Sequence, residues 1–143
     1  MARLHDWQER LSAVLGGAAA RAFAYGEHDC CLHAADCIEA VTGDDVAAAW
    51  RGQYSDEGGG MVLAKARSLA QLAARFLPPI DRAFARRGDV ALAPIGERPG
   101  PHRAMMLLVV DGVVLRGPAG RFVMEIDGQP WRMSKRVRCW RVG

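Results

Sequence analysis

The sequence predicts a single α+β domain in which amino-terminal helices pack on a small antiparallel β-sheet. Apolar residues recur at three- and four-residue spacing in the first half of the chain, as in amphipathic helices. From Arg86 onward the chain instead contains short apolar runs separated by turn residues, as in strands. Helices followed by strands indicate the α+β class. With 143 residues and 50% hydrophobic side chains, the chain can bury one core, so we expect one domain over residues 1–143.

The first predicted helix has a regular apolar face and is expected to end at Gly16-Gly17. The apolar side chains on that face are Leu4, Trp7, Leu11, Val14 and Leu15. A second helix is expected to begin at His28 or Asp29, because an aspartate can cap the free amide groups of a first turn. It should run to about residue 42, since Gly43 can adopt the left-handed conformation that ends a helix.

After a loop over residues 44–60, the pattern predicts a third helix from Met61 to Phe76, ended by Pro78-Pro79. The strand-like runs that follow are RRGDVALAP, AMMLLVV, VVLR, FVMEI and VRCWRV. Asp111-Gly112 lies between two of them. An Asp-Gly pair in this position is a strong hairpin signal, because a type I′ turn needs positive φ at both central residues. The second half should therefore form the antiparallel sheet.

Charge and hydropathy exclude several classes of partner. The formal net charge is +3, and the basic residues are scattered arginines with two lysines, Lys65 and Lys135. The densest basic stretch, from Arg132 to Arg141, is expected to be a solvated strand face, so we predict no nucleic-acid partner. The charged opening MARLHDWQERL lacks the apolar segment of a signal peptide. No apolar run approaches about 18 residues, so we expect no membrane insertion.

Three of the four cysteines and two of the four histidines fall within YGEHDCCLHAADCIEAVTG, residues 25–43. A disulfide framework is not expected, because Cys30 and Cys31 are adjacent and a bridge between them would be strained. Cys30 lies in the first turn of the predicted helix, where free amide groups and the helix dipole stabilise a thiolate. It is therefore the candidate nucleophile. Asp29 opposes thiolate formation unless its carboxylate is occupied as the helix cap.

Two alternatives apply to the same stretch. Cys30, His33 and Cys37 can share one helix face, and one more ligand from Cys139, His28 or His102 would complete a tetrahedral zinc site. Zinc ligands usually come as close pairs, however, and the chain has no second pair. The other alternative is packing, because free cysteines are among the most buried residues. We expect packing for Cys31, Cys37, Cys139 and His33, with no metal and no cofactor.

Several segments resemble the NlpC family of cell-wall cysteine peptidases, which have a compact papain-like fold. The segments are FAYGEHDCCLHAAD, RRGDVALAP and AMMLLVVDG, in which Asp29-Cys30 and Gly88-Asp89 match the family's landmarks. The chain is most similar to a branch found in phage and prophage tail-gene clusters. The further matches to this branch are Phe23, Gly26, His28, Thr42-Gly43-Asp44, Arg51-Gly52-Gln53-Tyr54 and Cys139-Trp140-Arg141-Val142.

The resemblance implies a tail-tip protein of the virion that contacts other tail-tip proteins and cleaves amide bonds of peptidoglycan. Cys30 would be the nucleophile, Asp29 the helix cap, and Arg51, Tyr54, Tyr25 and His28 would contribute to binding. A thioester would form on Cys30 and be resolved by water.

The chain departs from the family at the general base. Ala104 stands where the catalytic histidine is expected, Arg116 where a third polar residue would orient it, and Phe23 replaces a tyrosine. His102 lies two residues earlier and could share the strand face, so it is the candidate base. His28, in the preceding turn, is a poorer one. Without a base, the alternative is an inactive structural or adaptor module of the tail tip.

Overall fold

A computed structural model describes residues 1–95 and 104–143, which form helices packed on an antiparallel sheet. The α+β class expected from the sequence is confirmed. The helices are α1 (Trp7–Ala19), α2 (Cys30–Thr42), α3 (Glu57–Ala64) and α4 (Leu69–Phe76). The strands are β1 (Pro79–Ile80), β2 (Val90–Pro94), β3 (Met105–Asp111), β4 (Val114–Arg116), β5 (Phe122–Val123), β6 (Glu125–Ile126), β7 (Gln129–Pro130) and β8 (Arg138–Trp140). None of the helices in the described ranges is long and apolar enough to cross a membrane.

Helix α1 continues beyond the predicted end at Gly16-Gly17 and stops at Ala19. A Cβ atom added at either glycine would meet nothing within 4 Å, so both face away from the protein. Glycine lowers helix stability by about 1 kcal/mol but does not forbid the conformation. The last turn is retained because Ala18 beyond the glycines is buried.

Helix α2 has the predicted ends. The Asp29 side chain accepts a hydrogen bond from the Leu32 amide at 2.9 Å, which makes it the cap that precedes Cys30. At the other end Gly43 adopts a φ of 87°, and its amide donates to the Glu39 carbonyl at 2.7 Å. The capping and stop signals therefore place Cys30 at the first position of the helix.

The predicted helix from Met61 to Phe76 is wrong in its bounds, because two helices occupy this region. Helix α3 begins inside the predicted loop, where the Asp56 side chain caps the Gly59 amide. It ends at Lys65, which has a left-handed φ of 53°. Helix α4 starts after Ser68, whose hydroxyl accepts from the Gln71 amide at 3.1 Å. The apolar pattern thus continues from α3 into α4, and only the capping residues mark the boundary between the two helices.

The main sheet has the order β1-β8-β2-β3-β4-β5, and every neighbouring pair is antiparallel. Strands β2 and β3 form its centre, with a register that runs from Val90↔Val109 to Pro94↔Met105. Strands β6 and β7 form a separate hairpin. Helix α2 packs against β3, so the sheet centre supports the helix that carries Cys30.

The β3–β4 hairpin exists as predicted, but its turn differs. Asp111 pairs with Val114, so Gly112 and Val113 are the two central residues. Gly112 has a φ of 66°, whereas Val113 is not among the residues with positive φ. Positive φ at the first central residue alone is a feature of type II′ turns, in which only that position requires glycine.

Alternating side chains of β2 and β3 contribute to two apolar clusters, one on each face of the sheet. Val90, Leu92 and Leu107 pack with α1, α2 and α4, together with Trp140, which is 1% exposed. Ala91, Leu108 and their neighbours pack with Trp131 on the opposite face. The period of two along a strand produces this division.

The Gly88-Asp89 pair precedes β2 and holds the start of the central strand. Asp89 is fully buried, and its carboxylate accepts hydrogen bonds from the Val142 amide at 2.9 Å and the Arg86 amide at 2.9 Å. The Arg3 guanidinium also binds it at 3.0 Å. Asp89 therefore joins the beginning, the middle and the end of the described chain around one buried charge.

Candidate functional site

Cys30 lies where helix α2 meets strand β3. Its half-buried side chain packs against both apolar clusters, so it sits at the boundary between them. The backbone amide of Leu107 in β3 lowers the pKa of the Cys30 thiol. The thiol thus lies between a helix N-terminus, which favours negative charge, and an amide donor from the sheet.

The Asp29 carboxylate beside Cys30 is occupied by hydrogen bonds. One oxygen accepts from the Leu32 amide at 2.9 Å, and the other accepts from the Gly26 amide at 3.0 Å and from the Tyr54 hydroxyl. Asp29 is 3% exposed. A buried carboxylate with this many donors is a structural group, and it ties helix α2 to the loop that contains Tyr54.

The two adjacent thiols differ in acidity. A hydrogen bond from the Cys31 thiol lowers the pKa of Cys30, and the Leu107 amide acts in the same direction, whereas burial and the charges of Asp29 and Glu57 oppose them. The same hydrogen bond and burial raise the pKa of Cys31. Cys30 is therefore the residue of the pair that becomes a thiolate, and Cys31 keeps its proton.

His28 and His33 are both buried, with their rings 6.0 Å apart in an edge-to-face arrangement. The Nε2 atom of His28 lies 3.2 Å from both the Ala18 carbonyl and the Ala119 amide. The Nε2 atom of His33 lies 3.2 Å from the Arg116 carbonyl, and burial lowers the pKa of His33 to about 4. Both rings are thus bonded to backbone groups, and His33 is neutral at neutral pH.

In the described part of the chain, no group of three or more His, Cys, Asp or Glu side chains is arranged to hold a metal ion. Cys37 and His33 approach one another at 4.0 Å between Sγ and Nε2, on the same face of α2. Burial raises the pKa of Cys37, and burial raises that of Cys139 to about 12. These two cysteines are buried thiols within the apolar clusters, as the packing alternative predicts.

A cavity of about 200 Å³ opens beside Cys30. Its exposed lining residues form the mouth, and they include Phe23, Tyr25, Glu57, Ala104 and Met105. Its buried lining residues form the floor between α2, α4 and the sheet, and they include Ala35, Ile38, Leu72, Ala73 and Val90. A ligand entering the cleft therefore passes the thiol before it reaches an apolar interior.

Comparison with known families gives one match, to a family described as a domain of unknown function, DUF6950, which covers residues 2–142. The chain belongs to the DUF6950 family. No curated protein and no solved structure matches the sequence.

The DUF6950 chain brings some of the predicted site residues together around the cleft. Cys30, Asp29, Tyr25 and Tyr54 all line it. Tyr25 packs edge-to-face on Phe23, with ring centroids 5.0 Å apart. These aromatic rings border the mouth, where a ligand would approach the thiol.

Other predicted residues lie elsewhere. The Arg51 guanidinium pairs with Asp36 at 2.8 Å and with Asp45 at 3.0 Å, and it is not among the residues that line the cleft. His28 is buried beneath α1 and also does not line it. His102, the candidate base, lies outside the described residues.

The positions assigned to the missing base and its partner are both described. Ala104 lines the cleft with Cys30, immediately before β3, and its carbonyl accepts from the Ile95 amide at 2.9 Å. Arg116 binds Asp111 through Nε at 2.7 Å. The position where the catalytic histidine is expected thus carries only the methyl group of Ala104.

Sequence reasoning missed three contributors to the site. They are Leu107 through its backbone amide, Cys31 through its thiol, and Glu57 at the mouth. The contact of Leu107 depends on the β3 register, which no local pattern reveals. Glu57 was assigned to a loop, although the Asp56 cap before it was a readable signal for a helix start.

Proposed function

We propose that this protein is a phage or prophage tail-tip protein with an NlpC-like cysteine-hydrolase site, in which Cys30 cleaves an acyl bond. One observation carries the proposal. Cys30 occupies the first position of helix α2 and lines the cleft, and the Cys31 thiol and the Leu107 amide lower the pKa of its thiol. The tail setting and the papain-like ancestry rest on the sequence resemblance, which also names peptidoglycan amide bonds as the first substrates to assay.

The proposed reaction has two steps. The Cys30 thiolate attacks the carbonyl carbon, and the negative charge moves to the carbonyl oxygen, where the free amide of Cys30 at the helix start can donate a hydrogen bond. The bond to the leaving group then breaks, the leaving group takes a proton, and a thioester remains. Water attacks the thioester, which releases a carboxylic acid and restores the thiol.

The leaving group needs a proton donor beside the thiol. Ala104 cannot supply a proton, and both His28 and His33 are bonded to backbone groups away from the cleft lining. His102 is the remaining histidine near this position in sequence. We assign it the role of general base, two residues before Ala104 in the sequence.

The first experiment measures the pH dependence of Cys30 alkylation by peptide mass spectrometry in the wild type, His102→Ala and, as the matched control, His5→Ala. We expect the thiol pKa to lie below the free value of about 8.5 and to rise in His102→Ala only. A thiol pKa of 8.5 or more that is indifferent to His102 would overturn the assignment. Release of soluble fragments from peptidoglycan, compared between wild type and Cys30→Ser, then tests hydrolysis itself.

A second candidate function is that of an inactive adaptor in the tail tip, and the methyl group of Ala104 in the cleft favours it. Exposed apolar side chains are also present around the mouth and on the neighbouring strand edge, as a docking surface requires. They are Phe23, Tyr25, Met105, Phe122 and Met124, each at least 38% exposed. An adaptor predicts that Cys30→Ser leaves tail assembly intact, whereas Phe122→Ser weakens it.

A further inference from the structure

We infer that the cleft beside Cys30 binds an uncharged, apolar acyl chain of about eight carbons, whose carbonyl lies at the thiol and whose tail fills the space between α2 and α4. This inference rests on the proposed acyl chemistry at Cys30. It names a substrate class that differs from the charged peptides of peptidoglycan, which the resemblance implies.

The chemistry of the lining carries the inference. Beyond the mouth, the cleft is bordered by aliphatic and aromatic side chains such as Ile38, Trp50, Leu72 and Phe76. Asp29 also lines the cleft, and its oxygens already accept hydrogen bonds from Leu32, Gly26 and Tyr54. A ligand that entered this space with polar groups would leave them without partners, which is costly in a buried site.

Charge at the site points in the same direction. Among the described residues that line the cleft, the charged side chains are Asp29 and Glu57, and none is Lys, Arg or His. A stem peptide of peptidoglycan carries carboxylates, which would meet two acidic residues and no cation in that lining. An ester, thioester or amide with an uncharged tail meets no such repulsion.

The size of the cavity sets the length of the chain. Its volume is about 200 Å³, whereas an apolar cavity of about 150 Å³ accepts benzene, with its six carbons. In proportion, the cleft accommodates about eight carbons. The mouth-to-floor order of exposed and buried lining residues fits a linear chain that enters past Cys30.

Hydrolysis of such a substrate needs water as its co-reactant and nothing else. The Cys30 thiolate forms a bond to the acyl carbon, and the ester or amide bond to the leaving group breaks as the leaving group is protonated. Water then adds to the thioester, and the products are a carboxylate, the free thiolate and two protons, one of which replaces the proton taken by the leaving group. No oxidation or reduction is involved.

The binding test uses Cys30→Ala protein and octanamide, an uncharged eight-carbon probe, with calorimetry as the readout. Two further variants separate the cleft from the helix surface. Ala73 lines the floor, while Ala74 is the exposed neighbour on the same helix. We expect Ala73→Leu to weaken octanamide binding by about tenfold or more, because it fills the cavity, and Ala74→Leu to change it by less than about twofold.

If Ala73→Leu fails to fold, Val46→Phe replaces it, because Val46 is a half-buried residue of the lining. Its control is Val62→Phe at a site 79% exposed. The inference would be overturned if octanamide did not bind, or if it bound equally well to the cavity-filling variants and to their controls. Binding of an anionic stem peptide in place of octanamide would also overturn it.

A separate reaction distinguishes this inference from the proposed function. Wild-type protein is mixed with p-nitrophenyl acetate and p-nitrophenyl octanoate, and the acyl-enzyme is measured by intact mass. Faster acylation by the octanoate ester than by the acetate ester, lost in Ala73→Leu but not in Ala74→Leu, supports both the hydrolase and the apolar acyl site. Octanamide binding without any acylation of Cys30 would refute the hydrolase and leave the apolar site standing. Acylation by both esters at equal rates in all three proteins would refute the apolar site and leave the hydrolase.

Discussion

Acidification is expected to unfold the protein partly through His33. This side chain is fully buried, and burial lowers its pKa from 6.5 to about 4. The groups that face it are the Arg116 carbonyl at 3.2 Å, the His28 ring at 6.0 Å and the Cys37 sulfur at 4.0 Å. The Arg116 carbonyl raises the pKa but does not outweigh burial, and His28 acts in the same direction as burial.

The direction in which pH changes the free energy of unfolding follows from proton binding. Between pH 6.5 and pH 4 the unfolded chain carries a proton on residue 33 that the folded chain does not. The free energy of unfolding therefore falls as the pH falls through this window and is retained in full above it. A gap of about 2.5 pH units, at about 1.36 kcal/mol per unit, corresponds to about 3 kcal/mol as an upper bound.

Urea unfolding at neutral pH and at about pH 4.5 measures this loss, and the variant His33→Gln isolates it. Glutamine retains a donor for the Arg116 carbonyl but does not titrate, so the pH dependence of its unfolding free energy should be smaller than that of the wild type by most of the 3 kcal/mol estimated above. His5→Gln is the control, because His5 is exposed. An equal pH dependence in wild type and His33→Gln would refute the argument.

Five further substitutions test the fold and the thiol site. Cys30→Ala should change the free energy of unfolding by about 1 kcal/mol, because a first-turn position accepts alanine, and a loss above about 3 kcal/mol in urea unfolding would instead make Cys30 a core residue. Trp140→Ala should cost about 3 to 5 kcal/mol, since the ring is 1% exposed, and unchanged stability would contradict the packing of β8. Gly26→Ala should lower the free energy of unfolding by about 3 kcal/mol or more, because φ is 80° and the new Cβ would lie 2.0 Å from a backbone oxygen. Gly52→Ala is the control, with φ of 72° and open space around the new Cβ, and should lower it by about 1 to 2 kcal/mol. Equal losses of stability in the two variants on thermal unfolding would exclude the clash. Asp29→Asn should lower the pKa of the Cys30 thiol, because the Asp29 charge raises it; alkylation at neutral pH should then be faster than in the wild type, and a slower rate would contradict this electrostatic assignment.

The sequence predicts those features that depend on nearest neighbours along the chain. The Asp29 cap and Gly43 stop define α2, and both signals act within one helix turn. The β3–β4 hairpin was likewise readable from Asp111-Gly112. The turn type was not, because pairing of Asp111 with Val114 depends on the register of β3 against the whole sheet.

The parts that could not be predicted depend on contacts between distant segments. The Leu107 amide reaches Cys30 only because α2 packs across β3, and the Tyr54 hydroxyl reaches Asp29 only because the loop folds back over the helix start. Capping chemistry was overlooked at Asp56 and Ser68, where polar residues divide one apolar pattern into two helices. Periodicity alone does not reveal such a break.

The hydrogen bonds of Asp29 affect how other members of the family should be interpreted. This carboxylate holds the first turn of α2, the backbone of Gly26 and the Tyr54 loop, so its loss would harm folding whether or not any reaction takes place. An aspartate retained at this position in an alignment would therefore reflect selection for structure. The position that reports on thiol chemistry is the next one. A relative with alanine or serine in place of Cys30 would keep the fold but would lack the nucleophilic thiol.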